Sequence, residues 1–185
     1  MTRKTNNLNL PTVLTIFRIA LVLPLTFLIL QDNNLARIVA LVCFIIASIT
    51  DFLDGNLARR RHQVTKIGIF LDPLADKMLV NLTFLTLVYL NVVPLWIFAV
   101  ILVRDFIVDG IRMMSAKDGV TMAASKLGKS KTMIQMFTLV FMILNLIIKN
   151  DILGTINTIL LYIVLILTVL SGLDYLKKGR KQLIK

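Results

Sequence analysis

Apolar runs with few charges divide the chain into six segments, at about 12–31, 35–58, 67–90, 94–115, 130–148 and 152–174. Each approaches the roughly 20 residues of helix that span a bilayer's hydrocarbon core. Pro11-Thr12 opens the first run and Asp32 closes it. No residue is charged between Lys77 and Arg104, so residues 91–94 must supply a turn inside that stretch. The pattern predicts an all-α integral membrane protein with six transmembrane helices. No repeat or low-complexity segment interrupts it, so residues 1–185 read as a single six-helix transmembrane domain with a short interfacial segment at about 1–11. Arg3 and Lys4 precede the first run as in a signal peptide. Gln31-Asp32-Asn33-Asn34 follows it in place of a small-residue cleavage pattern, so the run is expected to stay as a span.

Composition removes the alternatives to this picture. The chain is 57% hydrophobic with mean hydropathy +0.85, against about 45–50% apolar for an ordinary soluble domain. This weighs against a soluble globule and excludes a disordered chain. The single Cys43 excludes an intramolecular disulfide and a cysteine-based metal site. Six spans in 185 residues leave no room for an appended soluble domain.

The net charge of +11 gains meaning only when placed along the chain. With both termini on the cytoplasmic side, fifteen of the 21 basic residues fall on that side and two, Arg37 and Lys149, on the other. Cytoplasmic loops carry the excess of Lys and Arg, which orients the bundle with both termini inside. The other four, Arg18, Lys77, Arg104 and Arg112, fall within spans.

Six of the ten acids, all of them Asp, also lie within or at the ends of predicted helices. Ionisable groups at membrane depth are costly and normally face a partner or a wet cavity. Asp105, Asp109 and Arg112 are spaced by four and three residues, so mutual neutralisation can account for them. Asp51 and Asp54 are three apart at the end of helix 2, and Asp72 and Asp76 are four apart near the start of helix 3. Each pair shares a helical face, and the short loop between the helices puts both pairs at one depth. Four carboxylates gathered there repel unless cations intervene. An all-oxygen donor set without Cys or His suits Mg²⁺ or Mn²⁺, and four carboxylates suffice for two ions.

Small residues separate these acids and let a helix or a bulky ligand approach. The full string is Asp51-x-x-Asp54-Gly55-x-x-Ala58-Arg59, eight residues, then Gly68-x-x-x-Asp72-x-x-x-Asp76. It resembles the signature of the CDP-alcohol phosphotransferases at every position and spacing. That resemblance implies six transmembrane helices, a homodimer, and an active site open to the cytoplasm and inner leaflet. It implies that Asp51, Asp54, Asp72 and Asp76 hold metal, and that Asp76 is also the catalytic base. Gly55, Ala58, Arg59 and Gly68 would join Asp54 and Asp72 in binding the CDP-linked lipid. Arg59 has a second reading, as a membrane-surface anchor like Arg60 and Arg61.

Within that family, three further segments resemble the bacterial members that make phosphatidylglycerophosphate. They are Asn9-Leu10-Pro11-Thr12-x-Leu14-Thr15-x-x-Arg18, then Arg104-Asp105 followed by Arg112, and Ala124-Ser125-Lys126-x-Gly128-Lys129-x-Lys131-Thr132-x-x-Gln135. Those members usually carry Glu where Asp105 stands. The implied reaction transfers the phosphatidyl group of CDP-diacylglycerol to sn-glycerol 3-phosphate in a bacterial plasma membrane, giving phosphatidylglycerophosphate and CMP. Membrane lipids are expected partners and nucleic acid is not.

Arg104 and Arg112 lie eight residues apart, about 80° around a helix, so both can border one pocket. The planar fork of Arg suits a phosphate, and ion pairing with Asp105 and Asp109 is the competing reading. Lys126, Lys129 and Lys131 are candidates for the same phosphate or for anionic headgroups. Thr15 and Arg18 are candidates for the nucleotide, with capping and snorkelling as the plain explanation. His62 sits in a basic loop and reads as solvated. Two alternatives remain at this stage. One is the same chemistry on inositol phosphate, serine or phosphatidylglycerol. The other is a cation transporter with an intramembrane Asp pathway, which would spread its acids through the membrane depth.

Overall fold

The computed structural model describes residues 10–61, 66–117 and 125–183. Side chains are described except at 10–12, 14, 51–61, 66–73, 76, 116–117, 178 and 180–183. Six helices follow one another: α1 (Leu10–Leu30), α2 (Asn34–Arg61), α3 (Lys66–Tyr89), α4 (Leu95–Lys117), α5 (Lys126–Ile148) and α6 (Asp151–Leu183). There is no strand among the described residues. The chain divides into two compact units, Met1–Thr86 and Leu87–Lys185.

In the first unit α1 packs on α2. Thr15, Arg18, Val22, Leu25 and Ile29 are buried along α1, and Arg37, Ala40, Phe44 and Ala47 along α2. Both sets step by three and four residues, the spacing that keeps one helical stripe against a neighbour. Asn33 caps the turn between them: its Oδ1 accepts from Leu35 N at 2.8 Å, so one of the orphan donors of the new helix is satisfied. Arg37 donates from Nη1 to the exposed Asp32 Oδ1 at 3.1 Å.

The second unit is built on α6, which packs against both α4 and α5. Its buried stripe is Asn157, Leu161, Val164, Thr168, Ser171 and Tyr175. Two short turns set up the packing. Asn91, at φ 59°, turns the chain out of α3, with Val92 N donating to Leu87 O at 2.9 Å. Asn is among the few side chains that tolerate this left-handed conformation. Lys149 ends α5 at φ 54°, and Asn150 Oδ1 then accepts from Ile152 N at 2.9 Å and Leu153 N at 3.2 Å. With only two residues between them, α5 and α6 run antiparallel.

The interior is apolar but also holds polar side chains, and large apolar side chains cover much of the outside. Thr, Ser, Lys and Gln side chains lie in the interior, while Phe27, Leu23, Ile152, Ile159 and Ile166 face outward. Many of the hydroxyls donate back to the carbonyl four residues earlier, Thr83 to Leu79 O at 2.7 Å and Thr138 to Ile134 O at 2.8 Å. They therefore need no water. Residues 126–148 and 151–177 are each long and apolar enough to cross a membrane.

Two helices exceed the sequence expectation. α5 begins at Lys126 rather than near 130, because Ser125 caps it: its Oγ accepts from Gly128 N at 3.0 Å. Lys126 and Lys129, ahead of the expected fifth span, are thus helical. α6 continues to Leu183, nine residues past the expected end. Loss of hydropathy marks where an apolar span stops. It does not stop a helix whose following residues, 175–183, are mostly Leu, Lys, Arg and Gln, good helix formers, with Gly179 the exception.

Candidate active site

The acidic signature falls on helical backbone throughout. Asp51, Asp54, Gly55, Ala58 and Arg59 lie on α2, and Gly68, Asp72 and Asp76 on α3. The three- and four-residue spacings therefore place each acid pair on one helical face. Their side chains lie outside the described set. Thr15 and Arg18 are both buried on the inner stripe of α1. His62 lies outside the described residues.

The basic candidates form a connected network in the second unit. Asp105 is its centre. Arg104 Nη1 donates to Asp105 Oδ1 at 2.9 Å. Lys131 Nζ donates to the same Oδ1 at 2.9 Å and to Oδ2 at 3.0 Å. The Lys131 side chain is 3% exposed and those of Arg104 and Asp105 13% each. A cation at this depth needs a carboxylate partner, because desolvation otherwise costs several kcal/mol or more. Lys126 and Lys129 are exposed. The three lysines grouped in the sequence thus separate into one buried ion-pair partner and two surface cations.

Helix α6 holds the arginines from the other side. Arg104 Nη2 donates to Ser171 Oγ at 2.8 Å. Arg112 Nη2 donates to Tyr175 Oη at 2.6 Å, and Ser125 N donates to the same oxygen at 2.9 Å. Both guanidinium carbons lie within cation–π range of the Tyr175 ring, at 5.6 Å for Arg104 and 5.1 Å for Arg112. Gly172 gives Arg104 its path, since a Cβ there would come within 3.1 Å of Arg104 Cγ. Arg104 Nε, Arg112 Nε and Gln135 Nε2 are buried donors with no acceptor among the described residues. Buried polar atoms nearly always find partners. Three such donors, beside a network rich in cations, suit a ligand that only accepts hydrogen bonds, as a phosphate does.

Ser171, Gly172 and Tyr175 were not expected from the sequence, where the last helix reads as a generic span. A signal was present: Thr168, Ser171 and Tyr175 interrupt an apolar run at spacings of three and four. Small and polar residues on one stripe mark the face of a membrane helix that meets other helices.

Comparison with known proteins places the chain in a family. Residues 8–170 match the family model described as CDP-alcohol phosphatidyltransferase, and the chain belongs to that family. The family is membrane-embedded and generally dependent on a divalent metal. Among curated proteins, the chain is 41% identical over 176 residues to a CDP-diacylglycerol--glycerol-3-phosphate 3-phosphatidyltransferase of Rickettsia bellii, covering 94% of this chain and 96% of the relative. It is 35% identical over 184 residues to the protein of the same name from Bacillus subtilis, covering 92% and 95%. A third, from Salmonella choleraesuis, is 35% identical over 181 residues, covering 95% and 97%.

Proposed function

We propose that this protein transfers the phosphatidyl group of CDP-diacylglycerol to sn-glycerol 3-phosphate, releasing CMP and phosphatidylglycerophosphate. The observation that carries this reading is the match, over more than nine-tenths of both chains, to relatives that bear that activity in their names. The acceptor hydroxyl oxygen forms a bond to the phosphorus of the phosphatidyl group. The bond from that phosphorus to the oxygen of CMP breaks, and the hydroxyl proton passes to a base.

The signature acids supply the donor set for the metal. Asp51, Asp54, Asp72 and Asp76 are hard oxygen ligands on two consecutive helices, and Mg²⁺ or Mn²⁺, in one or two ions, fits such a set. Bound there, a divalent ion would neutralise charge on the pyrophosphate oxygens and on the departing CMP. Asp76 takes the proton of the attacking hydroxyl, a role for which it must lie within hydrogen-bond reach. Gly55, Ala58 and Gly68 leave room for the cytidine nucleotide, with Arg59, Thr15 and Arg18 on its phosphates. Arg104 and Arg112 bind the phosphate of the acceptor. Lys126 and Lys129 draw anionic substrates and headgroups to the same side, while Lys131 serves that phosphate through its pair with Asp105.

Six helices cross the bacterial plasma membrane with both termini cytoplasmic, as the fifteen-to-two distribution of basic residues favours. The outward apolar faces suit lipid, and the homodimer typical of the family is the working assembly. The deciding experiment is CMP release from CDP-diacylglycerol by the purified protein. Glycerol 3-phosphate, inositol phosphate, serine and phosphatidylglycerol are offered in turn, with and without Mg²⁺ or Mn²⁺. Release with glycerol 3-phosphate alone, and only with metal, is expected. Preference for another acceptor would overturn the assignment.

A further inference from the structure

Arg104 and Arg112 stand eight residues apart on α4, about 12 Å along its axis. Their guanidinium carbons nevertheless come to 5.6 and 5.1 Å from a single ring centroid, that of Tyr175. Two like charges brought to one place repel, and here something must draw them in. Asp105 engages Arg104 directly. Arg112 has one described hydrogen bond, from Nη2 to Tyr175 Oη. Tyr175 is itself fixed. It is 1% exposed on the buried stripe of α6, and its oxygen also accepts from Ser125 N. The ring also packs against the first turn of α5, where a Cβ at Gly128 would meet it in ordinary contact at 3.5 Å. One turn earlier on α6, Ser171 holds Arg104 Nη2. The two consecutive rungs of α6 thus hold the two arginines of α4.

We infer that Tyr175 is the positioning residue that sets Arg104 and Arg112 as one phosphate-binding pair, and so fixes the affinity for the phosphorylated acceptor. This rests on the reading that these arginines take the phosphate of glycerol 3-phosphate. The aromatic face offsets part of the repulsion between the guanidiniums, and the hydroxyl fixes which edge of Arg112 is turned toward protein. The Nε donors of both arginines stay unpartnered among the described residues, so the pair is held without being used up. An acceptor without phosphate gains nothing from the arrangement, which makes Tyr175 a determinant of specificity as well as affinity.

The test is Tyr175→Phe in the full-length purified protein, which keeps the ring and removes the hydroxyl. A hydrogen bond to a charged group is worth on the order of tenfold or more in affinity. KM for glycerol 3-phosphate should rise about tenfold, with kcat and the KM for CDP-diacylglycerol within about twofold. In an Arg112→Ala background the same change should move that KM less than about twofold, because the two residues act as one unit. A KM for glycerol 3-phosphate that stays within twofold of wild type, equal rises for both substrates, or effects that multiply in the double variant would each overturn the inference. A second readout is independent of the acceptor: the concentration of inorganic phosphate that protects against thermal unfolding should rise about tenfold in the Phe variant. An unmoved phosphate midpoint overturns the role of Tyr175. A wild type that phosphate protects but that releases no CMP with glycerol 3-phosphate overturns the proposed reaction, and the shifted midpoint would still support Tyr175.

Discussion

In the unit spanning Met1–Thr86, the acidic candidates come from one stretch of sequence, 51–76, on two consecutive helices. In the unit spanning Leu87–Lys185, the network is made by Arg104, Asp105, Arg112, Lys131, Ser171 and Tyr175, which lie on three helices and up to 71 positions apart. The first group is written as a string with fixed spacing. The second exists only once α4, α5 and α6 have packed. A helix period alone places acids three and four residues apart on one face, so the first group needs no tertiary information to be recognised. Nothing local ties Arg112 to Tyr175. The comparison teaches that a motif reports the part of a site one or two elements can build, and that acceptor choice can reside in the part it leaves out.

The largest expected effect tests the acidic region. Asp76→Asn removes the proposed base and one metal ligand. General base catalysis contributes roughly 10²–10⁴-fold, so CMP release should fall by about three orders of magnitude, with thermal unfolding little changed. Retention of a tenth of wild-type turnover would refute the role of Asp76 as base. Chelation of divalent metal should silence the wild type, and Mg²⁺ or Mn²⁺ should restore it.

The next effect tests the second region as a piece of structure. Asp105→Ala removes the carboxylate that Arg104 and the buried Lys131 share, and breaking a buried pair of this kind costs about 3–5 kcal/mol. A large fall in unfolding temperature is expected, and adding Lys131→Met should recover much of it. Lys131→Met alone leaves Asp105 with Arg104 and should be milder. If Lys131→Met instead raises the KM for glycerol 3-phosphate by tenfold at unchanged stability, Lys131 contacts the substrate itself. Below this in magnitude, Arg112→Ala should raise that KM by on the order of tenfold to a hundredfold, the range of charge-assisted hydrogen bonds to phosphate. The KM for the lipid should stay within about twofold. Equal changes for both substrates would dissolve the division between the two regions.

Much of this was legible before the fold. The six apolar runs gave the six helices in order. The acid spacings marked the signature, and the Arg104-Asp105 and Arg112 positions drew attention to α4. What escaped was set by packing. Lys131 reads like Lys126 and Lys129 in a basic loop, and only its burial against Asp105 distinguishes it. The start of α5 escaped because charge was taken as the mark of a loop, whereas the Ser125 hydroxyl satisfies a backbone donor and lets the helix begin among lysines. Tyr175 escaped because one aromatic near the end of an apolar span is ordinarily an interfacial anchor. Its role depends on Arg112, which is 63 residues away.

The smallest effect separates two things that Ser125 does in the basic region. Its side chain caps α5 by accepting from Gly128 N, and its backbone N–H donates to Tyr175 Oη. Ser125→Ala deletes the first and keeps the second. Loss of a Ser N-cap costs about 1 kcal/mol, so a drop of a few degrees in unfolding temperature is expected. The KM for glycerol 3-phosphate should stay within about twofold, because Tyr175 keeps both of its donors. If that KM instead rises as far as in Tyr175→Phe, the first turn of α5 must be what holds the Ser125 N–H in place. The positioning of Arg112 would then depend on the cap of α5 as well as on α6.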